Sequence, residues 1–343
     1  MVRIAVLYDP SDNLLPHGER RQKERSLTPV RRRKRERRSK LDREHVLDAI
    51  RANGHDPFFH ELGGEQALFG LAKNGAELVF NMTEAYEGDD LKEAHVAAFL
   101  DLLDLRYTGA GPYSLFLAQD KSLAKKLFNF HGIKTPNFAT VTRGKVDHMD
   151  DLEFPLIVKP ASEDGSVGID VKAVVNTVRE LMERVSWVQE QFDCAALIEE
   201  YIEGREIYVG VLGNEKPEAL PPVELDLSRL PKDMPRIAGR EVKWDKGTEA
   251  YDVTRSQVAE GLDGDLKKRL QDTALEVYEA LKLRDYGRVD MRVTPKGEIF
   301  VIEANPNPWL APEAELAIAA QNAGRDYEKL IGDIVSMAVA RYF

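Results

Sequence analysis

The first hundred residues constrain this chain most strongly, because short apolar runs alternate there with amphipathic stretches. Residues 3–8 read as a buried strand. Leu41–Ala52 has helical spacing and stops at Asn53-Gly54, a helix C-terminal signal. Strands are expected at Pro57–Leu62, Glu77–Met82 and Arg106–Gly109, with helical stretches at Gln66–Lys73 and Leu91–Leu103 between them. Such alternation requires a parallel sheet covered by helices, an α/β unit. The unit ends near Gly109-Ala110-Gly111-Pro112, which places a first domain at residues 1–112.

A second region, 113–203, begins with a helix at Lys121–His131 stopped by Gly132. Strands follow at Asn137–Thr142, Pro155–Pro160 and Ala196–Tyr201. The third region, 204–343, opens with the apolar stretch Glu206–Leu212. Its helix Asp265–Leu283 carries Leu266, Leu270, Ala274, Val277 and Leu281 on one stripe. A hairpin, Gly287–Thr294 and Glu298–Ala304, turns around Pro295-Lys296-Gly297, and the chain closes with helices at Glu313–Asn322 and Tyr327–Tyr342. The mixture of antiparallel strands and helices makes this part α+β.

Charge is unevenly spread. The 343 residues carry a net −11, yet Arg20–Arg43 holds 13 Lys/Arg against 3 acids. This run is either a patch for nucleic acid or an acidic partner, or a solvated face. The second reading is favoured, because no aromatic is interleaved for base stacking. One cysteine, Cys194, excludes an internal disulfide framework. No apolar run reaches the ~18–20 residues a membrane helix needs. The apolar start turns polar at Asp9, too early for a signal peptide. The expectation is a cytoplasmic protein without a membrane partner.

Three constellations can carry chemistry. Arg288-Val289-Asp290 lies on the first strand of the hairpin, and Glu303-Ala304-Asn305 on or just past the second. Residues two apart in a strand share a face, so Glu303 and Asn305 project together. The turn puts Asp290 opposite a residue in the range 301–303. Two carboxylates and an amide oxygen among apolar neighbours suit magnesium, or manganese, with phosphate as co-ligand; a solvent-facing hairpin with incidental acids is the competing reading. Second, the strand Pro155–Pro160 ends in Lys159, a point charge suited to phosphate oxygens, and the small-residue loop through Ser166 can offer backbone N–H groups. Third, Ala196–Glu206 is an apolar strand that ends in the carboxylates Glu199, Glu200, Glu203 and Glu206.

Taken in order, with Tyr107-Thr108-Gly109-Ala110 and Asp120-Lys121 ahead of them, these motifs resemble the ATP-grasp superfamily and within it the D-alanine–D-alanine ligase family. The resemblance runs from about Glu77 to Ala320. It implies two α+β subdomains that sandwich ATP behind an N-terminal parallel-sheet α/β domain. By that resemblance Lys121 and Lys159 bind nucleotide phosphates and Ser166 contacts phosphate from a covering loop. Glu199 meets the adenine amino group, the Ile202 backbone its edge, and Glu206 the ribose. Lys243 reaches the transferred phosphoryl group, Arg288 stabilises its charge, and Asp290, Glu303 and Asn305 hold the metal.

The substrate half departs from the family pattern. A Ser-x-Glu segment that holds an ammonium group is replaced by Asp9-Pro10-Ser11-Asp12-Asn13. The family's His-Gly-x-x-Gly-Glu-Asp-Gly is here Asn81–Asp90. Pro306-Asn307-Pro308-Trp309-Leu310-Ala311 stands where a Pro-Gly-Met turn is usual. The resemblance therefore implies an ATP-dependent carboxylate–amine ligase that works through an acyl-phosphate on small-molecule carboxylate and amine substrates, and the divergent substrate half does not carry D-alanine over with it. Trp309 implies an acceptor larger or flatter than a methyl side chain; a core tryptophan is the alternative. The rivals are a ligase that modifies a peptide or protein terminus, and a nucleotide-binding module that docks on nucleic acid through residues 20–43. The family's habit of pairing implies a homodimer.

Overall fold

The computed structural model describes residues 1–10, 40–163, 165–243, 245 and 247–342. Most of the basic run, residues 20–39, lies outside them. Three sheets organise the chain.

The first sheet takes β1 (Arg3–Tyr8), β2 (Asp56–Glu61) and β3 (Leu78–Asn81) in the parallel order β2-β1-β3. Ile4 to Leu7 are buried in succession, because helices cover both faces of the central strand. These helices are α1 (Asp42–Ala52), α2 (Glu65–Leu71) and α3 (Glu93–Leu102). The strand expected at Arg106–Gly109 is reduced to one parallel bridge between Val79 and Tyr107. Only the Arg106 carbonyl and the Thr108 N–H bond with Val79 there.

Helices α4 (Pro112–Gln119) and α5 (Lys121–Phe130) lead into the second sheet. It contains β4 (Phe138–Thr142), β5 (Lys145–Met149), β6 (Leu156–Pro160), β7 (Val174–Val175) and β8 (Ala196–Glu200), in the antiparallel order β5-β4-β8-β6-β7. Helix α6 (Val178–Phe192) covers it through Val185, Val188 and Phe192. The third sheet is also antiparallel, in the order β12-β11-β9-β13-β14, with β10 (Glu218–Ala219) beside β9. Its strands are β9 (Arg205–Leu212), β11 (Val223–Asp226), β12 (Arg255–Val258), β13 (Tyr286–Val293) and β14 (Ile299–Asn305). Short helices α7 (Arg240–Lys243) and α8 (Glu249–Val253) precede β12, and α9 (Gly264–Ala280) backs the sheet. The chain closes with α10 (Glu315–Asn322) and α11 (Tyr327–Tyr342).

The third sheet has two unlike faces. Ile207, Val209, Val211, Val289, Met291 and Val301 pack on Leu270, Ala274 and Val277 of α9 in one apolar core. On the other face the same strands carry Glu206, Arg288, Asp290, Arg292 and Glu303, together with Tyr208, Leu212 and Tyr286, which join a second core with Leu316 of α10. Helix α11 packs back on α1, so a single core joins Val46 and Ile50 to Ile334 and Val335.

One residue ties the first and third sheets. Asp285, fully buried, accepts from the Gly109 N–H at 2.8 Å, from Asn214 Nδ2 at 3.0 Å and from Arg341 Nη2 at 2.7 Å. Removing a partner from a buried ion pair strands the other charge. Asp285→Ala is therefore expected to cost about 3–5 kcal/mol of stability, measured by urea unfolding.

Candidate active site

The hairpin β13–β14 and its neighbour β9 set the floor of the cleft. Arg288, Asp290 and Arg292 stand opposite Gly210, Tyr208 and Glu206 on β9. On the other side Arg288 faces Asn305, and Asp290 faces Glu303. Directly opposed residues share a face, so Glu206, Arg288, Asp290, Arg292 and Glu303 project into the cleft while the intervening valines project into the core. A bulge interrupts the pairing between Asp290 and Met291, where the partner steps from Glu303 to Val301. The extra residue, Ile302, puts Glu303 at the far end of the expected range.

Burial forces these charges together. Asp290, only 3% exposed, receives both Arg288 Nε at 2.7 Å and Arg288 Nη2 at 2.8 Å. Burial raises the Asp290 carboxyl above its ordinary range, Arg288 opposes this, and the charge on Glu303 adds to it. For Glu303 burial also pushes upward, but Lys121, Lys159, Lys243 and Arg288 hold the carboxyl down at about 2. Arg292 pairs with Glu206 at 3.3 Å, and Tyr208 O–H donates to the same carboxylate at 2.9 Å. The residue expected at the ribose is thus fixed by an arginine that sequence reasoning left unassigned. Asn305 Oδ1 accepts from the Asn307 N–H at 3.1 Å. The Asn307 side chain in turn reaches Thr83 O at 3.0 Å and Glu93 at 3.1 Å, which ties the hairpin end to the first sheet's domain.

The opposite wall comes from the second sheet. Lys159 Nζ lies 2.6 Å from Glu199 Oε2, and both side chains are buried. Lys121, at the start of α5, donates to Glu163 O at 2.8 Å and stands 3.7 Å from Glu303 Oε2 across the cleft. Lys125, one helical turn after Lys121 and fully buried, pairs with the other oxygen of Glu199. It also donates to Thr135 Oγ1 at 2.6 Å, and Thr135 donates to the Val301 carbonyl at 2.8 Å. This chain of contacts leads from Lys159 to the strand that carries Glu303. Sequence reasoning passed over Lys125; its repeat four residues after Lys121, on the same helix face, was the available signal. Ile202 lies in the link Tyr201–Gly204 between β8 and β9, three residues after Glu199.

Ser166 occupies a left-handed turn, φ 64°, and its Oγ donates to Ala238 O at 2.6 Å. The Arg240 N–H donates to Ile169 O at 2.8 Å, so the small-residue loop rests on the segment before α7. Gly168 is required there, since a Cβ would lie 2.7 Å from Pro160 Cγ and 2.9 Å from the Phe192 ring. Lys243 Nζ sits 5.8 Å from the centre of the Tyr208 ring and above the acidic floor. Just past the end of the hairpin, beside the first sheet, lies a cavity of about 110 Å³ lined by Tyr8, Asp42, Arg43, Glu84, Pro308 and Trp309. Trp309 is not a core residue: it is 37% exposed, and its indole N–H donates to Asp42.

The family profile described as D-ala D-ala ligase C-terminus matches residues 127–336. This chain belongs to the D-alanine–D-alanine ligase family. It is 35% identical over 308 residues to an uncharacterized protein, y4sG, of Sinorhizobium fredii, with 87% of each chain covered. It is 32% identical over 292 residues to the D-alanine–D-alanine ligase of Aquifex aeolicus, covering 85% of this chain and 92% of the relative. The structure of D-alanine–D-alanine ligase from Bacillus anthracis complexed with ATP superposes with a TM-score of 0.69 at 23% identity, over 99% of this chain and 98% of that one. The fold is the ATP-grasp fold of that family, as the order of the motifs implies. Among the described residues no helix is long and apolar enough to cross a membrane.

Burial pushes the Lys125 ammonium down to about 8 against the pull of Glu199. Its ordinary value is 10.5, so between pH 8 and 10.5 the unfolded chain binds more protons and stability rises with pH. Below pH 8 both states hold the proton and the slope vanishes. Urea unfolding of wild type and Lys125→Met across pH 7–10 is expected to show a rise of up to ~1.4 kcal/mol per pH unit that the variant lacks.

Proposed function

We propose that this protein is an ATP-dependent ligase that activates a substrate carboxylate as an acyl-phosphate and joins it to an amine. The observation that carries the reading is the meeting of Lys121 with Glu303, 3.7 Å apart, across the cleft between the second and third sheets. Cations for phosphate lie on one wall and carboxylates for a phosphate-bound cation on the other. In the absence of a triphosphate they neutralise each other.

Asp290, Glu303 and Asn305 fit magnesium or manganese. Among the described residues no three His, Cys, Asp or Glu side chains group as a metal cluster. Two carboxylates and an amide suit a hard cation whose remaining ligands are water and phosphate oxygens. The opposed pair Asp290 and Glu303, whose like charges disturb each other, gives that cation its place. When bound it supplies charge neutralisation at the phosphates.

The chain's own residues account for the rest. Lys121 and Lys159 bind phosphate oxygens, and Ser166 with its loop covers them. Glu199, the Ile202 backbone and Glu206 line the nucleoside side. Arg288 holds the migrating phosphoryl group with its remaining N–H bonds, and Lys243 adds charge from above. In this reading a carboxylate oxygen attacks the γ-phosphorus and ADP leaves. An amine then attacks the acyl carbon and inorganic phosphate leaves. Such a loose transition state asks the protein for position and charge above all. The relatives named D-alanine–D-alanine ligase support an amino-acid donor. The cavity beside Trp309, with Asp42 and Glu84 on its wall, receives the acceptor amine, and the departures at Asp9–Asn13 and Pro306–Ala311 leave D-alanine itself unassigned.

Incubation with ATP, magnesium, pooled amino acids and hydroxylamine is expected to yield ADP and an acyl hydroxamate. Glu303→Gln and Asp290→Asn are expected to lower that rate roughly 10²–10³-fold while circular dichroism stays native. Near-wild-type turnover in both would remove the assigned roles.

A further inference from the structure

Arg288 already holds a second carboxylate of the protein's own. While Nε and Nη2 go to Asp290, Nη1 donates to Glu315 Oε2 at 3.0 Å. Glu315 is anchored from its other side as well, since Oε1 accepts from Ser256 Oγ at 2.9 Å. Gly210 makes this arrangement possible. It stands opposite Arg288, and a Cβ there would lie 2.5 Å from Leu316 Cδ1, so its absence lets α10 settle on β9 and bring Glu315 to the arginine. As the first residue of α10, Glu315 is also placed where the helix favours a negative charge. Burial would raise its carboxyl, but Arg288 and Lys243 draw it below the ordinary range, so it is ionised at neutral pH.

An α-amino acid that attacks the acyl-phosphate carries its own carboxylate two bonds from the attacking nitrogen. That carboxylate needs a cation near the reacting carbon, and the cations of the cleft already face carboxylates, Lys243 among them beside Asp290, Glu303 and Glu315. Arg292 holds Glu206 at 3.3 Å, Lys159 holds Glu199 at 2.6 Å, and Lys121 faces Glu303 and the phosphates. Arg288, beside the reacting groups, holds two carboxylates. A third would lie against Glu315, and two like charges in a buried site repel strongly.

We propose that Glu315 sets the acceptor class: an amine with no free carboxylate on the adjacent carbon, such as an amino-acid carboxamide or the first residue of a peptide. The proposal rests on the ligase reading above. In the step itself the amine nitrogen bonds to the acyl carbon and the carbon–oxygen bond to phosphate breaks. Inorganic phosphate leaves with the electron pair, and the proton lost by the nitrogen goes with it. Glu315 takes no part in these bonds. It fixes Arg288 and turns away anions.

The test begins with hydroxylamine, which carries no carboxylate and reports the acyl-phosphate whatever the natural acceptor is. Failure to form a hydroxamate from any carboxylate overturns the ligase reading, and this proposal with it. With the donor identified, phosphate release is measured with glycinamide against glycine, and with D- and L-alaninamide against D- and L-alanine. The expected ratio of kcat/KM, amide over free acid, is about 100 in the wild type, as repulsion of this kind produces. In Glu315→Gln, which keeps the shape and removes the charge, and in Glu315→Ser, the ratio is expected to fall at least tenfold through a lower KM for the free acid. The ratio is taken within each protein, so changes in overall rate cancel. A wild-type ratio below about 10, or a ratio that both variants leave in place, overturns the proposal.

Discussion

A charged sheet face inside a protein exists only where its charges meet opposites, and this requirement shapes the whole cleft. Arg288 with Asp290 and Glu315, Arg292 with Glu206, and Lys125 and Lys159 with Glu199 are buried sets in which each member needs the others. Such pairs add little net stability, because desolvation offsets their attraction, but loss of one partner is severe. Their consequence is precision of placement. The apolar reverse of the third sheet, packed on α9, holds the strands rigid, so the charges keep their positions without solvent to support them.

The two walls of the cleft are joined by polar links. Lys159, Glu199, Lys125 and Thr135 form a continuous path that ends on the Val301 carbonyl, two residues before Glu303. A second link runs from Ser166 to the Ala238 carbonyl. In the proposed reading a triphosphate enters between Lys121 and Glu303 and meets two surfaces already held in register. Its charge takes over contacts that the walls otherwise make with each other. Preorganised charge of this kind is the largest contribution a protein makes to phosphoryl transfer.

Much of this was legible in the sequence. The hairpin could be read because acidic and apolar residues alternate at the strand period, and the parallel sheet because residues 4–7 form an unbroken apolar run that leads the strand–helix alternation. Helix α6 was not read, although Leu181, Val185, Val188 and Phe192 recur on one face at helical spacing. The register of Asp290 was open over three residues, as a bulge at Ile302 leaves no mark in composition. Lys125 and Glu315 escaped notice for a related reason. Their roles come from partners 74 and 27 residues away, Glu199 and Arg288, and only the tertiary structure supplies these. Trp309 was open between core and pocket, and the cavity that it lines decides for the pocket.

Calorimetric titration of the folded protein with a non-hydrolysable ATP analogue, with and without magnesium, tests the central claim most directly. The account predicts a saturable one-to-one heat with magnesium, weakened at least about tenfold when the metal is withheld, because Asp290 and Glu303 then face the phosphates bare. No heat in the presence of both, or the same affinity with and without the metal, would contradict it.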